Sequence, residues 1–248
     1  MRPVEKRPVG NCVKYVNSNR RIVSHVIQPN YVPYSGAKDA LAGCIGTFCS
    51  YCEDKKSLGD LAVEHVAPKS QGGATADWDN FLLSCGVCNS DKGIGIVSLT
   101  DCHFPHRNNT FLSLVYDCGG RVLVNSQLSG DAKKHAEKLL ELVELRRYPH
   151  SPYKPSPRDF RWRNRYEAWN IAVRCKLLLD NGNISLHDII KMARRTGFWS
   201  VWFTVFKGYD NVRWHLIEGF PGTCKSCFDS SNHYEPVPRN PQNTNDPV

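Results

Sequence analysis

Apolar residues first take up a helical rhythm at Ala37, Ala40, Leu41, Cys44, Ile45 and Phe48, behind Ser35, whose hydroxyl can cap the first turn. The residues before it, 1–34, are polar and proline-bearing, with Arg20 beside Arg21, and read as an arm packing irregularly on the rest of the chain. L-A-V-E-H-V from Leu61 is a strand candidate, S-Q-G-G-A-T a flexible loop, and D-W-D-N-F-L-L-S-C a run into Cys85. T-F-L-S-L-V-Y, D-C-G-G and R-V-L-V read as a glycine-closed β-hairpin. Ala132, Ala136, Leu139, Leu140 and Val143 then form one stripe of a helix over Asp131 to Arg147.

The proline-punctuated stretch Pro149 to Pro157 marks a boundary. Beyond it the pattern predicts a helix from Tyr166 to Leu179, and another from Ser185 to Thr196 with Ser185 and Asp188 as a capping box and Gly197 as the stop. Phe198 to Phe206 is apolar throughout, so periodicity leaves strand and helix equally open. The tail after His233 is expected to be disordered. Together these elements predict an α+β chain divided into an arm (1–34), a central domain (35–150), a mostly helical C-terminal region (151–232) and a tail (233–248).

Composition narrows the classes. A chain of 248 residues, 41% hydrophobic and 23% charged, can bury a good core. Its start, M-R-P-V-E-K-R-P-V-G-N-C, has no apolar run of the kind a secretory signal needs, and F-W-S-V-W-F-T-V-F is too short to span a membrane, so a cytoplasmic location is expected. Thirty-two basic against 24 acidic residues give a net charge of +8, which favours a polyanionic partner without naming one. Eleven cysteines cannot all pair, and in a reducing compartment C-x-x-C pairs read as metal ligands.

Two such pairs, Cys49/Cys52 and Cys85/Cys88, provide four thiolates for the closed tetrahedral coordination of a structural zinc. The ion would clamp residues 53–84 as a loop longer than the ~15–20 residues of a simple zinc ribbon. Inside that loop lie Glu64-His65, the P-K-S-Q-G-G turn and Asn80 in D-N-F-L-L, with Asn89 following Cys88.

This order and bracket resemble the HNH endonuclease motif, which implies a ββα core with metal-dependent hydrolysis of phosphodiesters. Such hydrolysis needs a base for water and stabilisation of charge on the phosphate and leaving oxygens. His65, neutral near pH 7, is the candidate base. The resemblance makes Glu64 and Asn89 the ligands of a catalytic Mg²⁺ or Mn²⁺, and Asn80 the residue that positions the loop and orients His65. Glutamate stands at position 64 where the commoner motif has aspartate, which leaves the preferred metal open.

F-C-S-Y-C-E, L-A-V-E-H-V-A-P-K, W-D-N-F-L-L-S-C-G-V-C-N-S-D-K-G and F-P-H-R-N-N-T-F, with R-W-R-N-R-Y-E-A-W, G-F-W-S-V-W-F-T-V-F and F-P-G-T further on, resemble the PtuB-type HNH subunit of Septu and retron-associated anti-phage systems. That resemblance implies a toxic defence effector controlled by an ABC- or SMC-like ATPase of the PtuA type, sometimes with a reverse transcriptase and its RNA-DNA product. The chain itself has no Walker A pattern.

R-D-F-R-W-R-N-R interleaves Arg158, Arg161, Arg163 and Arg165 with Phe160 and Trp162, a composition suited to phosphate contact and base stacking. With Lys92 these are the expected nucleic-acid or partner contacts. The same arginines can equally meet acidic groups of a partner or of their own core. Cys224/Cys227 and the neighbouring Cys102, His103 and His106 are isolated half-sites for a second metal, and Cys12, Cys44, Cys118 and Cys175 read as buried small hydrophobes. DNA is the favoured substrate and RNA stays open, because neither the motif nor the charge reads a 2'-hydroxyl. The rival reading is a zinc-stabilised nucleic-acid or protein binding module with an inactive HNH site.

Overall fold

The fold is described from a computed structural model covering residues 1–17, 19–95 and 98–248. It is a mixed α and β molecule in which, among the described residues, four two-stranded antiparallel ladders sit among helices.

The arm is more ordered than its composition suggests. Cys12–Val16 (β1) and Ile22–Val26 (β2) pair antiparallel, Val13 opposite His25, because the short alternation C-V-K-Y-V lets one strand bury Val13. Val13 lies against Gly43, where a Cβ would come within 2.8 Å of its methyl carbon. Further upstream, the Arg2 guanidinium donates to the carbonyls of Pro221 (2.7 Å) and Ile45 (2.8 Å). It also lies beside the rings of Phe48 and Phe220.

Helix α1 (Lys38–Ile45) buries Ala40, Leu41, Cys44 and Ile45. Ser35 does not cap it through its side chain. A single 3₁₀ turn, Tyr34–Ala37, leads in, and the carbonyl of Ser35 accepts the Lys38 N–H. Strands β3 (Leu61–His65) and β4 (Phe81–Cys85) then pair antiparallel with Glu64 opposite Leu82 and His65 opposite Phe81, and α2 (Gly86–Lys92) follows at once. This is the expected ββα unit.

The next hairpin is shorter than its apolar run. Asn109 accepts the Phe111 N–H and starts a helical turn, α3 (Thr110–Ser113), leaving Leu114–Tyr116 (β5) and Val122–Val124 (β6) as strands. Helix α4 (Gly130–Leu142) buries Ala132, Ala136, Leu139 and Leu140. It stops before Arg147, where Glu144 takes a positive φ of 50°.

The C-terminal region is helical: α5 (Arg161–Asp180), α6 (Leu186–Thr196), α7 (Trp199–Val205) and α8 (Asp210–Gly219). Ser185 accepts the Asp188 N–H at the start of α6, and Gly197 ends it with a φ of 78°. The apolar run after it is α7, a helix buried on every side, which is why its sequence has no helical period. Gly197 packs on backbone, since a Cβ there would lie 2.6 Å from the Glu53 carbonyl. The core is continuous from Met1 to Phe228, so the proline-rich boundary does not separate the molecule into independent cores.

The tail is not disordered. After Phe228–Asp229 (β7) and Glu235–Pro236 (β8) pair, the chain folds back and buries Asp246 and Val248. Its partners lie in segments far away in sequence, so its polar composition carried no sign of them. No helix among the described residues is long and apolar enough to cross a membrane.

Candidate active site

The ends of the ββα unit meet at four cysteines. The sulfurs of Cys49, Cys52, Cys85 and Cys88 lie within 4.8 Å of one another, all buried. Hydrogen bonds from Cys49 and its neighbours favour Cys85 as the thiolate. Cys52 is pushed up by its bond with Cys49, and Cys88 by burial. Without a cation, then, negative charge is favoured on Cys85 and disfavoured on Cys52 and Cys88. A divalent ion lets all four sulfurs ionise, so the donor set and its spacing fit a tetrahedral zinc.

Arg161 completes the arrangement. Its Nη1 donates to Cys88 Sγ at 3.2 Å and to the Val143 carbonyl at 2.7 Å. Its Nη2 lies 2.7 Å from both Asp91 and Asp159. Burial works against its charge, but Asp159 and the nearby thiols outweigh burial and keep it protonated. A guanidinium here offsets the excess negative charge of four thiolates on one divalent ion. Glu53, next after Cys52, is held by the C-terminal helices: its carboxylate accepts from the N–H (3.1 Å) and hydroxyl (2.7 Å) of Ser200.

His65 closes β3 and is 8% exposed. Its Nε2 lies 3.0 Å from the Thr75 carbonyl, which can only accept, so Nε2 is the donor here and, in the neutral ring, Nδ1 is the nitrogen with the lone pair. The ring is held edge-on by Phe81 (5.0 Å between centroids) and Tyr34 (4.7 Å). Lys69 Nζ sits over the Tyr34 ring at 4.6 Å. Asn80 fixes the loop that carries Thr75. Its Oδ1 accepts from the Ala67 N–H at 2.7 Å, and its Nδ2 donates to Ala67 O (3.0 Å) and Ala74 O (2.8 Å).

Glu64 points the other way, as strand alternation requires. It is 3% exposed. Oε2 accepts from the Tyr51 hydroxyl at 2.7 Å and Oε1 lies 2.6 Å from Lys92 Nζ. Burial first, and then Glu64, hold the Tyr51 hydroxyl well above its ordinary range, so it stays a neutral donor. Lys92 Nζ also donates to the His65 carbonyl at 2.9 Å. Asn89 is exposed on α2.

The expected metal pair therefore does not fit as arranged: an ion on Glu64 would meet the Lys92 ammonium at contact distance, in a pocket closed to solvent. Lys92, expected at a nucleic-acid or partner surface, is corrected to a buried counter-ion, for the same reason that one charge of this kind is buried only with another.

The arginine-rich segment is corrected for some of its members. Arg161 is bound up as described, and Arg165, 2% exposed, donates to the Gly120 carbonyl at 2.8 Å. Trp162 is half-buried, stacks on Tyr166 and donates to the Gly119 carbonyl. Arg158 and Arg163 are exposed, the latter paired with Glu167. Cys12 and Cys118 are exposed rather than buried, while Cys44 and Cys175 are buried. Cys224 and Cys227 lie together, with the Cys224 thiol lowered to about 6 by its bond with Cys227. Among the described residues no histidine or acid joins them in a metal-ligating group.

Tyr34, Tyr51, Thr75, Asp91 and Asp159 were not singled out from the sequence. Thr75 acts through its backbone, which leaves no trace in residue type, and Tyr34 belongs to the arm. Tyr51 alone had a signal: it lies inside the first C-x-x-C.

Comparison with known proteins agrees with this geometry. No curated protein matches the chain. Residues 49–94, from the first cysteine of the cluster to just past α2, match the family model described as HNH endonuclease, which supports the HNH family for this segment of the chain.

Proposed function

We propose that this protein is an HNH endonuclease that hydrolyses phosphodiester bonds of nucleic acid, with DNA favoured and RNA open. The observation that carries this reading is the His65 ring, whose Nε2 is committed to the Thr75 carbonyl so that its neutral form offers Nδ1 as the proton acceptor, inside a segment matching the HNH endonuclease family. A water beside Nδ1 can be deprotonated as it attacks phosphorus. Bond formation from that water oxygen to phosphorus accompanies departure of the alkoxide, which takes up a proton from solvent.

Asn80 and the Thr75 carbonyl hold the ring in the required tautomer. Lys69, exposed beside Tyr34, can draw a phosphate towards this edge. HNH nucleases use divalent metals, but the Glu64–Lys92 pair does not present itself to one, so no step here is assigned to an ion. The cysteine cluster, holding zinc, keeps β3, β4 and α2 in register.

The polymer has a second place to bind. A groove of about 790 Å³ is lined by Lys14 of β1, by Lys55, and by His187, Lys191, Arg194 and Arg195 of α6, with no acid among its described lining residues. A surface of one sign with this spacing suits a phosphate backbone. The defence role, with an ATPase of the PtuA type and a reverse transcriptase as partners, rests on the sequence resemblance alone and is proposed on that basis.

The test is incubation of the full chain with plasmid DNA and with total RNA, each with and without Mg²⁺ or Mn²⁺ and with and without the ATPase. Loss of one polymer, but not in a His65→Ala control, supports the nuclease and names its substrate. Intact DNA and RNA under all these conditions favour the binding-module reading.

A further inference from the structure

Three segments that the HNH site does not use meet at one point: the loop after α2, which brings His103; α4, which brings His135; and the C-terminal stretch, which brings Asp246. His103 Nε2 lies 2.9 Å and 3.0 Å from the two carboxylate oxygens of Asp246. His135 Nδ1 lies 2.6 Å from Oδ2. The candidate donor atoms all fall within 4.8 Å of one another. We propose that His103, His135 and Asp246 form a second metal site, which takes a divalent first-row transition ion, zinc foremost, and fastens the C-terminal stretch to the body of the protein.

The donor chemistry is right for such an ion. Two imidazoles and one carboxylate are borderline-soft ligands, and three protein donors with one solvent molecule make a tetrahedral shell. The outer contacts are right as well. His103 Nδ1 lies 2.8 Å from the Ser113 hydroxyl. Ligating histidines are held in this way through their second nitrogen, which leaves the first free to bind metal.

Charge argues in the same direction. The Asp246 side chain is 9% exposed, and the described ionisable groups within salt-bridge reach are the two histidines. Among the described residues no lysine or arginine lies within salt-bridge reach of this buried carboxylate, and a divalent ion supplies that counter-charge. Two surface recesses open at Asp246, one past Thr100, Arg107 and Asn243 and the other past Asp101, Lys134 and His135, and they give ion and water a way in. Across a tetrahedral zinc, neighbouring donor atoms sit about 3.3 Å apart, so the carboxylate oxygens, now 2.6–3.0 Å from the imidazole nitrogens, need draw back by up to about 0.7 Å to admit the ion.

Cys102, weighed in the sequence as half of a site with His103 and His106, is buried with its thiol on the His103 carbonyl and lies outside this group. His106 also lies outside it.

The test is multi-element emission on the purified full chain, beside His135→Ala and Asp246→Asn. About two equivalents of transition metal per chain in the wild type, with about one lost in each variant and the cysteine-bound ion retained, is the expected result. About one equivalent in all three proteins overturns the proposal. If either variant aggregates, limited proteolysis of the wild type decides. Chelation that removes one equivalent should release peptides from residues 238–248, and zinc should restore protection. Protection that ignores both chelator and zinc, or that is lost on pH change with the metal count unaltered, overturns the site in favour of a histidine–carboxylate ion pair.

Discussion

Lys92 Nζ lies 2.6 Å from Glu64 Oε1, and the two side chains are 2% and 3% exposed. An ion pair buried this deeply adds little net stability, but removal of one partner strands the other charge in a medium that cannot solvate it. Lys92→Met should therefore cost about 3–5 kcal/mol of unfolding free energy. Lys92→Met with Glu64→Gln should recover much of that loss. Urea unfolding of the two single variants and the double variant measures the coupling, and additive losses would contradict the pair.

Arg161 gives a second expectation. Its guanidinium touches Cys88 Sγ from outside the cluster, so Arg161→Met should leave the four sulfurs in place and weaken their hold on zinc by about 10- to 100-fold. Competition with a chromophoric chelator reads this directly. Unchanged zinc affinity would confine Arg161 to its ion pairs with Asp91 and Asp159.

These two contacts also mark how far the sequence could be read. Paired cysteines declare themselves because the ligand spacing is local, and Glu64-His65 does so because two adjacent strand residues must face opposite ways. Arg161 does not. An arginine in R-W-R-N-R looks the same whether it faces solvent or Asp91 and Asp159, and the sequence left both readings open. Lys92 was misjudged because a lone lysine on a helix end is ordinarily solvated. The tail was misjudged because Asp246 meets partners 111 and 143 residues away, a separation no local pattern reports. Phe198 to Phe206 stayed ambiguous because burial on all sides erases the period that would tell helix from strand.

The basic groove makes a prediction about salt. If the polymer's phosphates contact Lys191 and Arg194, replacing each with glutamine should weaken binding evenly across sequences and reduce the slope of log K against log salt by about 1 per residue. Fluorescence anisotropy at several salt concentrations measures it. An unchanged slope with both replaced would remove the groove from the binding surface.

His106 bears on acid stability. Burial, then Lys6, holds its proton affinity well below the ordinary value of 6.5, and its Nδ1 has no partner among the described residues. The folded state thus binds fewer protons there than the unfolded state, so its contribution is full above pH 6.5 and falls as pH drops below that value towards the folded-state pKa. Unfolding free energy measured from pH 7.5 down to 5 should decline less steeply in His106→Leu than in wild type. Equal slopes would contradict the assignment.

In the proposed reaction His65 Nδ1 takes the proton from the attacking water. Its most direct test is the single-turnover cleavage rate of wild type and His65→Ala on whichever polymer is cut, with zinc content and unfolding midpoint confirming the fold, and with imidazole added back to the variant. The expected loss is about 10²- to 10⁴-fold, partly restored by imidazole. A His65→Ala protein that keeps its fold and cleaves at the wild-type rate would contradict it.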